Sequence, residues 1–257
     1  LHPRVRRQRQ MCIRDSNGTP AEFELVDEST IVATTPADYK TGNVTVTIHG
    51  YTMTGSAMFN PNSKGDVTVL YLQNYKQPFA KANDENWKNG EWWTPAVWNQ
   101  NKASFNAKNN TTVTGMQYKA AEGFTLAFQN GWEKEAYTNG KIWQVATLRP
   151  GKYRLEVTYA YTMVVSDAGN FISALMAKGN SESDIPNVAD IEQLNGVCAI
   201  YDKAGTNDDS GVLVTPSFEV TETTDVVIGF LTSLAKGNSY FKAVSYTHLR
   251  AHETRSN

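Results

Sequence analysis

The stretch KIWQVATLRPGKYRLEVTYAY, residues 141–161, decides the fold. Lys141 to Leu148 is rich in β-branched and aromatic residues, the composition of a strand. Arg149-Pro150-Gly151 interrupts it. From Tyr153 the chain alternates, with Tyr153, Leu155, Val157, Tyr159 and Tyr161 on one face and Arg154, Glu156 and Thr158 on the other. Period-two alternation marks a half-buried strand. Pro followed by Gly predicts a type II turn with Gly151 at positive φ, and so a hairpin.

Working outward, the same signals predict strands at 67–72, 171–177, 197–201, 213–220 and 225–231, and a last one starting near Tyr240. Residues 74–140 are dense in Asn, Gly and Trp and read as long loops with short strands. Residues 184–194 read as a loop or one short helix. No sustained helical periodicity occurs, and the strand count predicts a two-sheet jelly roll over 67–243. Upstream, Glu22–Val26, Ser29–Thr34 and Val44–Ile48 alternate between turn signals. That spacing predicts a small immunoglobulin-like sandwich over 17–60, joined through a Pro/Asn/Ser/Gly linker at 61–66. The expected fold class is all-β.

Both ends differ in character from the middle. Residues 1–16 and 244–257 resemble translated sequencing-adaptor sequence, through RRQRQMCIRDS at 6–16 and VSYTHLRAHET at 244–254. The natural part is therefore expected to be about 17–243, a fragment at both ends. The whole chain has 24 Lys+Arg against 26 Asp+Glu. The ends hold seven of the basic and two of the acidic residues, so 17 basic face 24 acidic in the middle, a net of −7. An acidic chain argues against nucleic acid as a partner. No apolar run approaches the roughly 20 residues of a membrane span.

The middle also keeps one His, His49, and one Cys, Cys198. These cannot build a multi-ligand Cys/His zinc site, and any Ser-His-Asp triad would depend on His49 alone. Cys198 lies in the apolar run GVCAIY and reads as a buried, inert thiol. Asp208-Asp209 could offer oxygen ligands to calcium, but the spacing is not that of an EF-hand, and solvated loop acids are the simpler reading. Glu133 and Glu135 flank Lys134, and nothing singles them out as a catalytic pair. No catalytic residues, metal or cofactor are expected.

All six Trp lie between 87 and 143, in a region also rich in Asn and Gln. Aromatic faces stack on the C–H faces of sugars while amides bond their hydroxyls, so Trp92, Trp93, Trp98 and Trp132 are the candidate carbohydrate-binding residues. The competing reading is that these Trp are core anchors, as Trp143 is expected to be from its place on a strand.

Two resemblances sharpen this. Residues 17–59, NGTPAEFELVDESTIVATTPADYKTGNVTVTIHGYTMTGSAMF, resemble the second half of a TIG (IPT) immunoglobulin-like module. The 140–157 stretch, Ala177-Lys178-Gly179-Asn180, Asp184–Val188, and Ser217–Val220 through Gly229-Phe230 occur in the order found in a galactose-binding-like jelly-roll domain of unknown function. That domain follows TIG modules in surface lipoproteins of glycan-foraging gut anaerobes. The match spans most of 140–243 and is looser over 74–139. It implies a cell-surface protein, outer-membrane-anchored or secreted, with a polysaccharide or oligosaccharide and other surface proteins as partners. The expected function is non-catalytic glycan capture. The alternatives are a structural or adhesive spacer, or an accessory region of a carbohydrate-active enzyme.

Overall fold

A computed structural model describes residues 11–14, 20–25, 31–34, 42–48, 50–59, 65–83, 91–104, 114–130, 136–203, 205, 207–235, 237–245 and 249–252. The chain forms two compact units, Leu1–Ser63 and Lys64–Asn257. His49, Trp87, Trp132, Glu133 and Glu135 lie outside the described residues.

The first unit contains β1 (Met11–Arg14), β2 (Pro20–Leu25), β3 (Ile31–Thr34), β4 (Gly42–Ile48) and β5 (Tyr51–Phe59). They form one antiparallel sheet in the order β3-β2-β1-β4-β5. The tight connection between β4 and β5 uses Gly50 at φ 85°, a conformation that glycine adopts without strain. Its central strand, β1, lies in the stretch that resembles adaptor.

The second unit begins with β6 (Gly65–Asp66), α1 (Thr68–Tyr71), β7 (Trp92–Trp93), β8 (Asn99–Gln100), β9 (Thr114–Lys119) and β10 (Gly123–Asn130). It continues with β11 (Tyr137–Leu148), β12 (Gly151–Thr162), β13 (Phe171–Lys178), β14 (Gly196–Ile200), β15 (Asp209–Val214) and β16 (Phe218–Val220). It ends with β17 (Thr224–Leu234), β18 (Ser239–Ser245) and β19 (Leu249–His252). One sheet runs β6-β19-β12-β18-β10-β9-β7, with β15 and β16 also paired to β12. The other runs β14-β13-β17-β11-β8. Their inner faces meet in an aromatic core. Phe128 and Phe241 of the first sheet pack on Phe230 of the second, with ring centroids 4.8 and 6.1 Å apart. Two antiparallel sheets closed over one core are a β-sandwich.

The 141–161 stretch forms two strands, as expected, but not a hairpin. β11 pairs with β17 and β8, while β12 pairs with β15, β16, β18 and β19. The chain therefore crosses from one sheet to the other at Arg149-Pro150-Gly151. Gly151 does not take a positive φ. The Tyr153 hydroxyl instead donates to the Arg149 carbonyl at 2.9 Å and fixes the corner. Both strands carry a buried face along twelve residues, and opposite sheets let each face the core from its own side.

Three smaller expectations also change. Tyr161 leaves the face it was expected to share, because it sits at φ 54° in a register shift between Tyr159 and Thr162. Thr162 turns inward in its place. Residues 67–72 form a helical turn rather than a strand. Asp66 Oδ1 accepts from the Thr68 backbone N–H at 3.0 Å and from its hydroxyl at 2.6 Å, which starts the turn. Val67 and Leu72 are buried while Val69 and Leu70 point to solvent. The strand expected at 213–220 is two strands, β15 and β16, divided around Pro216, which cannot donate to a ladder.

Between β13 and β14 the chain crosses the outer face of the five-stranded sheet. It makes two short 3₁₀ turns, Glu182–Asp184 and Val188–Gln193. Ile185, Val188, Ile191 and Leu194 cover Trp143, Leu175, Val227 and Leu231 in a second, smaller core. Trp143 is therefore core, as its strand position predicted.

Candidate functional site

The excursion is pinned at several points. The Lys141 ammonium, buried beneath it, donates to the Ile185 carbonyl at 2.6 Å and reaches the Glu182 carbonyl at 3.5 Å. Burial pulls the Lys141 pKa down, and the nearby Glu182 carboxylate opposes that shift. Asn139 Oδ1 accepts from the Val188 N–H at 2.9 Å. Asn101 Nδ2 donates to Glu182 Oε1 at 3.1 Å. At its start, Asp184 Oδ2 accepts from the Asn180 N–H, the Ser181 N–H and the Ser181 hydroxyl at 2.9, 3.0 and 2.8 Å. These bonds, led by the Ser181 hydroxyl, hold the Asp184 carboxyl below the usual range. Gly179, at φ 133°, makes room for it, since a Cβ there would lie 2.1 Å from Asp184 Cγ.

So anchored, the excursion leaves a cavity of about 420 Å³ beside the ends of β11 and β13. That falls in the size range of small-molecule sites. Lys178, Asn187, Asp190, Gln193 and Asn195 line it. None of these five side chains has a hydrogen-bond partner among the described residues. All five are exposed, so carboxylate, ammonium and amide groups line a solvent-facing hollow and are open to water or to a ligand. Such a set can exchange bonds to water for bonds to a ligand rich in donors and acceptors. The sequence offered only a weak signal here. Asp184–Val188 stands out as a motif, but the cavity forms only when 179–195 folds back on the sheet.

The Trp residues lie elsewhere. Trp98 is 5% exposed and in the main core, with its indole N–H donating to the Asn74 carbonyl at 3.0 Å. Trp92 is 3% exposed. It pairs with Gln117 while Trp93 pairs with Met116, so the two adjacent indoles point to opposite faces of the sheet. Neither Trp92 nor Trp98 offers a ring for a sugar to stack on, which corrects the expectation for these two. Trp93 is half-buried. Its ring meets Phe124 edge-on at 5.6 Å, Phe124 contacts Tyr118 at 4.9 Å, and the Lys81 ammonium lies 5.5 Å from the indole. Tyr118 is 40% exposed, so this row of rings reaches the surface.

Asp209 is structural. Its Oδ2 accepts from the Tyr159 and Tyr201 hydroxyls at 3.1 and 3.0 Å, and Lys203 lies 3.6 Å from its Oδ1. Among the described residues no group of three or more His, Cys, Asp or Glu side chains could hold a metal ion. Cys198 is half-buried, and burial raises its pKa, which makes it a poor nucleophile at neutral pH. No helix among the described residues is long and apolar enough to cross a membrane.

Comparison with known proteins gives two findings. The family described as "Domain of unknown function (DUF5013)" matches residues 73–229. A solved structure described as "Structural basis for the promiscuous specificity of the carbohydrate-binding modules from the beta-sandwich super family" is similar to this chain at 11% identity and a TM-score of 0.32. That match covers 95% of this chain and 84% of the other. No curated protein matches the sequence.

Proposed function

This chain belongs to the DUF5013 family, and from that premise we propose that it is a non-catalytic carbohydrate-binding region of a bacterial cell-surface protein. One observation carries the reading. Five exposed polar side chains, from Lys178 to Asn195, line an open cavity of about 420 Å³ and make no hydrogen bonds to other described residues. A sugar is the common ligand that offers many hydroxyls, each both donor and acceptor, to such a set. The Trp93–Phe124–Tyr118 row supplies a second, stacking surface. The surface location, anchored to the outer membrane or secreted, rests on the resemblance of sequence alone, as do other surface proteins as partners.

The spacer reading is favoured by a different observation: Trp92, Trp98 and Trp143 are all buried. Affinity electrophoresis of the folded full chain through gels containing single polysaccharides separates the two. Retardation by at least one polysaccharide is expected. Free migration through every gel, with the chain folded by circular dichroism, would falsify the binding reading and leave the spacer.

A further inference from the structure

We propose that the cavity under the 179–195 excursion recognises the hydroxyls of an uncharged sugar, with Asp190 and Lys178 as the residues that read hydroxyl orientation. This deepens the carbohydrate reading and rests on it.

Charge decides the class. Two cations, Lys141 and Lys178, and two carboxylates, Asp184 and Asp190, line the cavity, so its formal charge is zero. The commitments of these groups are unequal. The Lys141 ammonium is spent on the Ile185 and Glu182 carbonyls. Asp184 Oδ2 is spent on Asn180 and Ser181, while Asp184 Oδ1 carries no bond among the described residues. The groups left for a ligand are one ammonium, one whole carboxylate, one carboxylate oxygen and three amides. Hydrogen bonds to neutral carbonyls leave the Lys141 charge in place, so a sulfate, phosphate or uronate would meet two cations against two carboxylates and find no net attraction. Anion sites gather several cations or N–H groups instead. A sugar hydroxyl donates to a carboxylate and accepts from an ammonium or amide at once, which matches the mixed set. Asp190 and Lys178 are the strongest members, because hydrogen bonds to charged groups are about twice as strong as neutral ones. They come from different elements, the second 3₁₀ turn and the end of β13, and both line the cavity.

The test is titration calorimetry of the full chain against neutral oligosaccharides, uronate-containing oligosaccharides and sulfated oligosaccharides, at low salt and at high salt. The proposal expects binding to a neutral sugar that changes less than twofold with salt. It also expects at least a tenfold loss in both Asp190→Asn and Lys178→Met, with Thr147→Ala, outside the cavity, as the unchanged control. Binding confined to uronate or sulfated sugars, or collapsing with salt, overturns the neutral class but leaves the carbohydrate reading intact. Neutral binding that survives both substitutions overturns the assignment to this cavity. If it is then lost in Trp93→Ala, it belongs to the aromatic row. Absence of binding to every sugar by folded protein overturns both readings together.

Discussion

Asp184 is the residue on which the cavity wall depends. Three donors converge on one of its oxygens, which organises the first 3₁₀ turn much as a side chain caps a helix. Its depressed pKa gives the sign of a pH effect. The folded state favours the ionised form, so the contribution is fully present above the unfolded carboxylate pKa and is lost as pH falls through the folded one. Asp184→Asn is expected to destabilise the protein by about 1 kcal/mol at neutral pH, and to flatten the acid limb of its thermal-unfolding profile. A variant whose acid limb matches the parent would contradict this role. Gly179→Ala acts on the same contact from the other side. Its Cβ would clash with Asp184 Cγ, and φ 133° disfavours any side chain, so a loss of about 1–3 kcal/mol is expected. Trp98→Ala removes a core side chain and is expected to cost about 3–5 kcal/mol in urea unfolding. Any loss of sugar binding in that variant should be matched by lost fold.

At the scale of elements, β11 and β12 are the informative pair. They adjoin in sequence, yet no register joins them, because each pairs within its own sheet. Val145 lies opposite Val227 across β11 and β17. The Val145→Cys/Val227→Cys variant, with Cys198→Ala to remove the native thiol from the unit, is expected to form an intramolecular disulfide on mild oxidation. Cross-strand Cα spacings of about 4.5–5.5 Å permit one. Peptide mapping that finds these thiols unjoined would argue against the β11–β17 register. The strands themselves were legible in sequence because alternation is a local signal, and β13, β14 and β17 fall close to where that signal put them. Partner choice was not legible, because a Pro-Gly corner serves a hairpin and an arch alike. The same limit explains the site. An aromatic cluster is visible in a sequence, but whether Trp92 faces a ligand or a packed interior is set by strands remote in the chain. The cavity residues are ordinary polar side chains, and only the return of 179–195 onto the sheet collects them.

Across the whole molecule, the stretches that resemble adaptor are woven into both units. β1 is the middle strand of the first sheet, and β19 pairs with both β12 and β6 in the second unit. Leu249 is 0% exposed, and its backbone N–H donates to the Thr68 hydroxyl oxygen at 2.8 Å. Strand-like alternation in any sequence can satisfy an open sheet edge, since a ladder is made by backbone groups and a buried face needs only apolar residues at alternate places. The consequence for stability and the consequence for binding then separate. β19 belongs to the sheet built on β12, whereas the cavity is carried by β11, β13 and the 179–195 excursion on the opposite sheet. A chain ending at residue 245 loses the Leu249 side chain from the core and four residue pairs along β12. Burying one leucine is worth about 1.5–3 kcal/mol, so the melting temperature is expected to fall by several degrees. Below the new melting temperature, affinity for a sugar that binds the parent chain should stay within twofold. Calorimetry on both chains reads the two quantities together. A shortened chain that keeps its stability would show that β19 adds nothing to the core. One that stays folded but loses the sugar would show that the ligand is held on the β12 sheet instead.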